Sequence, residues 1–315
     1  MSLPGTGNTS NQQLPLAGRA AVITGVSRRR GIGFAVAHRL AAMGASLFLH
    51  SWSAYDAAQP WGSDPDGPHA LERDLSALGV KVESMEADLR GSGAPARLLA
   101  AAVQSLGHID ILIANHAYST SGSIANVTTE EIDTHLQINV RATLLLVQEF
   151  VAQHDGRRGG RLIVMTSGQH LEPMPEEIAY VASKGALHQL TKSLSHDLVR
   201  RGITVNTINP GATDTGYATP ELYQQVLAQE PQGRWGQPED GPADHALRRS
   251  GERGRWLVDA AGRRVVALSS TALIVSVVTF ALNYRHTRRS ASTWRSWTRS
   301  TETSRSNGND LTGGS

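Results

Sequence analysis

The chain has no cysteine in its 315 residues, so disulfide bonds and thiolate metal sites are excluded. No cluster of His, Asp and Glu has metal-ligand spacing, and no metal is expected. An excess of one charge is also missing. Thirty Lys and Arg face 28 Asp and Glu, a formal net charge of +2. A pI near 9.1 is then no case for a nucleic-acid partner. Residues 1–13 are polar and lack the basic and apolar regions of a secretory signal. They read as part of a disordered lead-in, residues 1–16, and the default compartment is the cytoplasm. What is present is ordinary for a globular protein: 40% hydrophobic and 18% charged residues. The length suits one large α/β domain or two smaller ones.

Short apolar runs alternate with stretches of helical spacing. The runs at 19–24, 45–50, 80–87, 109–114, 162–166 and 203–208 read as strands. The stretches at 34–43, 70–78, 98–106, 130–153 and 178–201 read as helices, and 54–69 as a long loop rich in Pro, Gly and Asp. This alternation predicts a doubly wound parallel sheet of the Rossmann type. Ligands of such sheets sit at the carboxyl ends of the strands. Gly25, Asp88, Asn115, Ser167 and the Pro210-Gly211 pair all fall at predicted strand ends.

The first strand runs into Gly25-Val-Ser-Arg-Arg-Arg-Gly31-Ile-Gly33 and then a helix. In that context backbone N–H groups and a helix N-terminus can hold a pyrophosphate. Gly25 can supply the tight turn, Gly31 the close approach and Gly33 the close packing. Ser27, Arg28 and Ile32 complete the contacts expected of the turn. Five residues separate the first two glycines, so the spacing is not the standard one, and a plain strand-to-helix loop is the alternative. NAD sites carry an acid near the end of the second strand. Here that end is His50-Ser51-Trp52-Ser53, with no acid before Asp56. Arg28, Arg29 and Arg30 crowd the turn and suit a 2′-phosphate. The expected cofactor is NADP, with NAD less favoured and Ser51 as a further contact. The alternative is that the arginines form a solvated loop.

Tyr180 and Lys184 lie one helical turn apart on one face. A phenol titrates near ~10 in water, and an ammonium beside it favours the phenolate. Ser167 ends the fifth strand and can share a substrate oxygen with the phenol, giving an acid/base pair with an orienting cation. By itself each polar residue also fits a plainer role. Tyr-x-x-x-Lys arises by chance in helices. Asp88 can be a cap, Asn115 a turn former, Asn139 a solvated helix residue, and Thr213 and Thr215 loop residues.

Over residues 17–240 the chain resembles the short-chain dehydrogenases/reductases. The motifs that carry the resemblance occur in order: Thr24-Gly25…Gly31-Ile-Gly33, Asp88-Leu89, Asn115-His-Ala, Asn139, Ser167, Tyr180-x-x-x-Lys184 and Pro210-Gly211. It is similar to members of the 3-oxoacyl-carrier-protein reductase type in its Gly-Val-Ser-Arg turn and in Pro210-Gly-x-Thr-Asp-Thr-Gly216. The resemblance implies an NAD(P)-dependent oxidoreductase acting on a small carbonyl/alcohol pair. It makes Tyr180 the acid/base and has Ser167 orient the carbonyl. Lys184 holds the nicotinamide ribose and lowers the tyrosine pKa, and Asn139 holds a relay water. Asp88 and Leu89 meet the adenine side, Asn115 the cofactor edge, and Pro210, Gly211, Thr213 and Thr215 the nicotinamide side. It also implies a homo-oligomer. The family pattern is broken at Ala114-Asn115-His116-Ala117, where Asn-Asn-Ala-Gly is usual.

The resemblance stops near residue 240. An atypical tail, 241–315, replaces the expected last helix and strand and puts the oligomer in question; its final part reads as disordered. One explanation is a shifted reading frame. Codons for Gly241 to Asp244 can be written so that a one-base shift yields Ala-Arg-Leu-Ile, the family's sequence. Residues 265–284 carry no charge, and their length approaches the ~20 residues of a membrane span. Several Ser, Thr and Asn interrupt the run, so a packed helix or strand and a frameshift product are the favoured alternatives. Two further readings stay open: a dinucleotide-binding protein without turnover, and a membrane-tethered reductase.

Overall fold

The computed structural model describes residues 14–157, 159–229, 233–239, 256–258 and 264–266. All belong to the first of two compact units, Met1–Ser276; the second, Val277–Ser315, lies outside the described residues. Six strands form one parallel sheet: β1 (Ala20–Thr24), β2 (Ser46–Ser51), β3 (Val82–Glu86), β4 (Ile111–Ala114), β5 (Gly160–Met165) and β6 (Ile203–Ile208). Their order is β3-β2-β1-β4-β5-β6. This is the doubly wound order, whose direction reverses between β1 and β4. Every residue of β1, β4 and β5 is buried, as expected for strands covered on both faces.

The covering helices are α1 (Ile32–Ala42), α2 (Ser53–Ala57), α3 (Pro68–Ser76), α4 (Ala94–Leu106), α5 (Thr129–His135), α6 (Thr143–Gln153) and α7 (Ile178–Leu198), with α8 (Pro220–Gln229) near the end. Proline opens α3 and α4, where its missing N–H costs nothing. Thr128 caps α5 by accepting from Glu131 N at 3.2 Å. Phe48, Leu98, Leu112, Phe150 and Leu162 lie in one buried cluster between sheet and helices.

Several boundaries differ from those expected. The lead-in ends earlier: Leu16 is fully buried and its N–H bonds the Met43 carbonyl at 2.8 Å. The loop after β2 holds the short helix α2. The long helix at 130–153 is interrupted by a π-helical turn, Leu136–Ala142, between α5 and α6. Beyond the sheet, β7 (Trp256–Val258) and β8 (Arg264–Val266) pair antiparallel. Only the first residues of the uncharged run at 265–284 fall in β8; the remainder, like most of the tail, lies outside the described residues. Among the described residues no helix is long and apolar enough to cross a membrane.

Candidate active site

Parallel strands present all their carboxyl ends on one edge. Gly25, Ser51, Asp88, Asn115, Ser167 and Pro210-Gly211 therefore share that edge. The glycine turn there is packed too tightly for side chains. A Cβ on Gly33 would meet the Gly25 carbonyl oxygen at 2.3 Å, and one on Gly25, where φ is +73°, would meet His116 Cα at 2.9 Å. Asn115 ties the turn to β4: its Nδ2 donates to the Thr24 and Gly25 carbonyls, each at 3.0 Å. Helix α1 starts from Gly31 with no side-chain cap and no acid in its first turn, so Ile32 and Gly33 open a bare N-terminus. Such an end attracts an anion.

Asp56, absent from the expected set, organises the turn. It is buried and accepts from Ser27 Oγ at 2.5 Å and Trp61 Nε1 at 3.0 Å, and it pairs with Arg28 Nε at 3.2 Å. Arg28 also donates to the Thr215 carbonyl at 3.0 Å. Arg29 is held by Asp64, Asp66 and Asp74, and Arg30 by Asp214. The three arginines are therefore each paired with protein carboxylates, and Arg30 remains 60% exposed. At the end of β2 the buried Ser51 hydroxyl has no hydrogen-bond partner among the described residues.

The β3 end is less open than expected. Leu89 is in the core, and Asp88 accepts from Arg90 N and Nε, each at 2.9 Å. Burial pushes the Asp88 carboxyl up, but the Arg90 contacts outweigh it and hold the pKa below its ordinary value. After β6, buried Thr213 turns its hydroxyl back on its own loop, 3.3 Å from the Pro210 carbonyl and 3.4 Å from that of Gly211. Thr215 contributes a carbonyl to Arg28 rather than its hydroxyl.

Ser167, Tyr180 and Lys184 converge. The Ser167 hydroxyl is close enough to the Tyr180 phenol to favour its ionised form. Lys184 Nζ lies 5.6 Å from the Tyr180 ring centre and donates to the Met165 carbonyl at 2.9 Å. Burial pushes the phenol up to about 12, with the Ser167 contact pulling the other way. Desolvation of the phenolate is here a larger effect than the Ser167 contact. Burial also lowers Lys184 to about 8.

Asn139 lies in the π turn and is nearly inaccessible, at 1% exposure. Its Nδ2 donates to the Tyr118 carbonyl and to Ser183 Oγ, each at 2.9 Å, and its Oδ1 accepts from Tyr118 N at 2.8 Å. Both amide hydrogens are spent on protein, so the expected water-holding role does not fall to them. The side chain is a clamp between the β4 loop and the helix of Tyr180. It is therefore not a solvated helix position.

A model of the family described as short chain dehydrogenase matches residues 19–225. The chain belongs to this family. It is 36% identical over 224 residues to the uncharacterized oxidoreductase YjdA of Bacillus subtilis, covering 70% of this chain and 86% of that protein. It is 34% identical to the uncharacterized NAD-dependent oxidoreductase Rv0687 of Mycobacterium tuberculosis, covering 69% and 79%. Among solved structures, a short chain dehydrogenase from Burkholderia cenocepacia in complex with NADP superposes with a TM-score of 0.63 at 30% identity, covering 72% of this chain and 88% of that one. The chain is thus an NAD(P)-dependent oxidoreductase with a Rossmann-like fold.

Proposed function

We infer that the enzyme interconverts a ketone and a secondary alcohol with NADP(H). The observation that carries this reading is the convergence of Ser167, Tyr180 and buried Lys184, with Nζ 5.6 Å from the Tyr180 ring centre and the Ser167 hydroxyl within reach of the phenol. All three lie on the edge where α1 offers its bare N-terminus. When bound, the nicotinamide supplies or accepts the hydride. Tyr180 Oη gives a proton to the carbonyl oxygen in reduction and takes it back in oxidation. The Ser167 hydroxyl orients that oxygen. Lys184 supplies positive charge against the developing phenolate. Gly25, Ile32, Gly33 and Asn115 shape the pyrophosphate cradle, and Asp88 borders the adenine side.

The preference for NADP rests on β2. Ser51 offers there a buried hydroxyl with no partner among the described residues, and Asp56, the acid that a ribose diol would want, is already bound by Ser27, Arg28 and Trp61. The relatives point both ways, one named NAD-dependent and one bound to NADP.

Resemblance alone suggests a 3-oxoacyl thioester as substrate. The charge around Tyr180 favours an uncharged ketone instead. Segments 118–127, 168–179 and 211–229 include Glu172, Glu176, Glu177, Asp214 and Glu221 but no Lys or Arg; Asp214 is paired with Arg30, and Glu177 acts on Tyr180 beside Lys184.

Titrating purified protein with NADPH and NADH by cofactor fluorescence, then assaying a ketone panel, tests the reading. Tighter binding of NADPH and turnover abolished in Tyr180→Phe are expected. Binding without turnover by the unmodified chain would leave a dinucleotide-binding protein and overturn the enzymatic assignment.

A further inference from the structure

His116 stands where the family usually has alanine, and it touches both ends of the site. It follows β4 and is 8% exposed. Its Nδ1 lies 2.7 Å from Thr24 Oγ1, at the start of the glycine turn. Its Nε2 lies 3.0 Å from the Ile138 carbonyl, inside the π turn. A carbonyl only accepts, so Nε2 carries the proton and Nδ1 accepts from the Thr24 hydroxyl. A neutral imidazole has one donor and one acceptor, and both are used.

The carbonyl it binds matters. A π turn moves carbonyls out of the regular helical ladder and is frequent at functional sites. The Ile138 carbonyl is met by a side chain from outside the helix. The next residue is Asn139, whose amide clamps Tyr118 and Ser183. Ser183 Oγ in turn donates to the Tyr180 carbonyl at 2.8 Å. His50 braces the other side of the glycine turn, accepting from Gly25 N at 3.3 Å and donating to the Ala87 carbonyl at 2.9 Å. Its ring lies 6.2 Å from that of His116. The remaining charged group facing His116 is Lys184.

We propose that His116 is a positioning residue, holding the π turn of Asn139 against the glycine turn so that Tyr180 stays in register with the bound dinucleotide. This rests on the reading of Tyr180 as the acid/base. The two ring nitrogens can be separated chemically. In His116→Gln the amide nitrogen reaches the place of Nε2 and can still donate to Ile138. In His116→Asn the amide oxygen reaches the place of Nδ1 and can still accept from Thr24, but the Ile138 bond is lost.

The experiment measures kcat, the KM for ketone, NADPH affinity and melting temperature for His116→Gln, His116→Asn and His116→Ala. Asn and Ala are expected to lose kcat by on the order of 10–100-fold, the scale of a slightly displaced reacting group. Gln is expected to restore most of it, although all three lower the melting temperature. A kcat that follows melting temperature alike in Gln, Asn and Ala would make His116 a packing residue and overturn the proposal. A second readout needs no turnover. The side-chain amide resonance of Asn139, followed by NMR, should shift in His116→Asn and not in His116→Gln. In the unmodified protein, nitrogen shifts should place the His116 proton on Nε2, and a proton on Nδ1 would overturn the proposal. An unmodified protein that binds NADPH but turns over no ketone, with these NMR signatures intact, would sink the enzymatic reading and leave the coupling standing.

Discussion

Arg30 of the glycine turn and Asp214 of the loop after β6 form an ion pair of 2.7 Å across 184 positions of sequence. Beside it, Arg28 donates to the Thr215 carbonyl. Two loops on the carboxyl edge are thereby fastened to each other next to the α1 N-terminus, the proposed dinucleotide site. Breaking the pair in Asp214→Asn should speed NADPH release. Arg30 is 60% exposed, and exposed pairs contribute about 0.2–1 kcal/mol, so the rise should be at most about fivefold. Stopped-flow displacement reads it, and added salt should reproduce it in the unmodified protein. A release rate indifferent to both changes would mean that the two loops do not gate the cofactor.

Gly33 is constrained by backbone, not by a movable side chain. In Gly33→Ala the new methyl would meet the Gly25 carbonyl oxygen at 2.3 Å and Asn115 Nδ2 at 2.8 Å. Either the turn or α1 must shift. Overpacking of this kind costs about 1–3 kcal/mol. At roughly 2–4 °C per kcal/mol in a domain of this size, the melting temperature should fall by about 2–12 °C. NADPH binding should weaken more than in Gly31→Ala, whose nearest contact, the Arg28 carbonyl oxygen at 3.0 Å, is looser. Equal NADPH affinities for the two variants would disprove the cradle.

What could be read before folding was local. The glycine turn, the alternating runs and the one-turn spacing of Tyr180 and Lys184 are all contained within a few residues, and each has a period or a turn chemistry to mark it. What could not be read depended on distant partners. The fate of Arg28, Arg29 and Arg30 was decided by Asp56, Asp64, Asp74 and Asp214, far along the chain. The Tyr180 pKa depended on burial, which the spacing to Lys184 does not report. A π turn has no apolar period to distinguish it from α-helix, so the setting of Asn139 was invisible. His116 left a trace, as the polar residue in a place that is usually alanine, but nothing local named its partners.

Buried histidines give the fold a pH limit. Burial lowers His50 from 6.5 to about 4, and burial with His50 nearby lowers His116 from 6.5 to about 3. Glu86 and Asp88 raise His50, while Lys184 lowers His116 further. As pH falls below about 6.5 the unfolded chain binds protons at both sites and the folded chain does not. The stability of the neutral rings is therefore complete above pH 6.5 and declines toward pH 4. Each site contributes a slope of up to ~1.4 kcal/mol per pH unit. Urea midpoints between pH 6.5 and 5 should drop, and His116→Gln should halve the drop. A flat profile over that interval would show that at least one ring is charged or accessible in the folded state.

Glu177 sets the charge that a substrate meets. It lies three residues before Tyr180 and is half-buried, and its carboxylate has no hydrogen bond or ion pair among the described residues. Burial raises its pKa, and its charge raises those of Tyr180 and Tyr217, so it lies within electrostatic reach of the acid/base. With Glu172 and Glu176 on the same segment and no Lys or Arg in residues 168–179, an anionic substrate should be repelled. An uncharged keto ester should therefore show a higher kcat/KM than the matching keto acid. Glu177→Gln should narrow that difference, and salt should narrow it in the unmodified enzyme. The same substitution removes a negative charge from beside the phenol. The Tyr180 pKa should then fall, moving the rise of alcohol oxidation with pH to lower pH. Preference for the keto acid, or a pH profile moved upward by Glu177→Gln, would place the carboxylate away from the substrate.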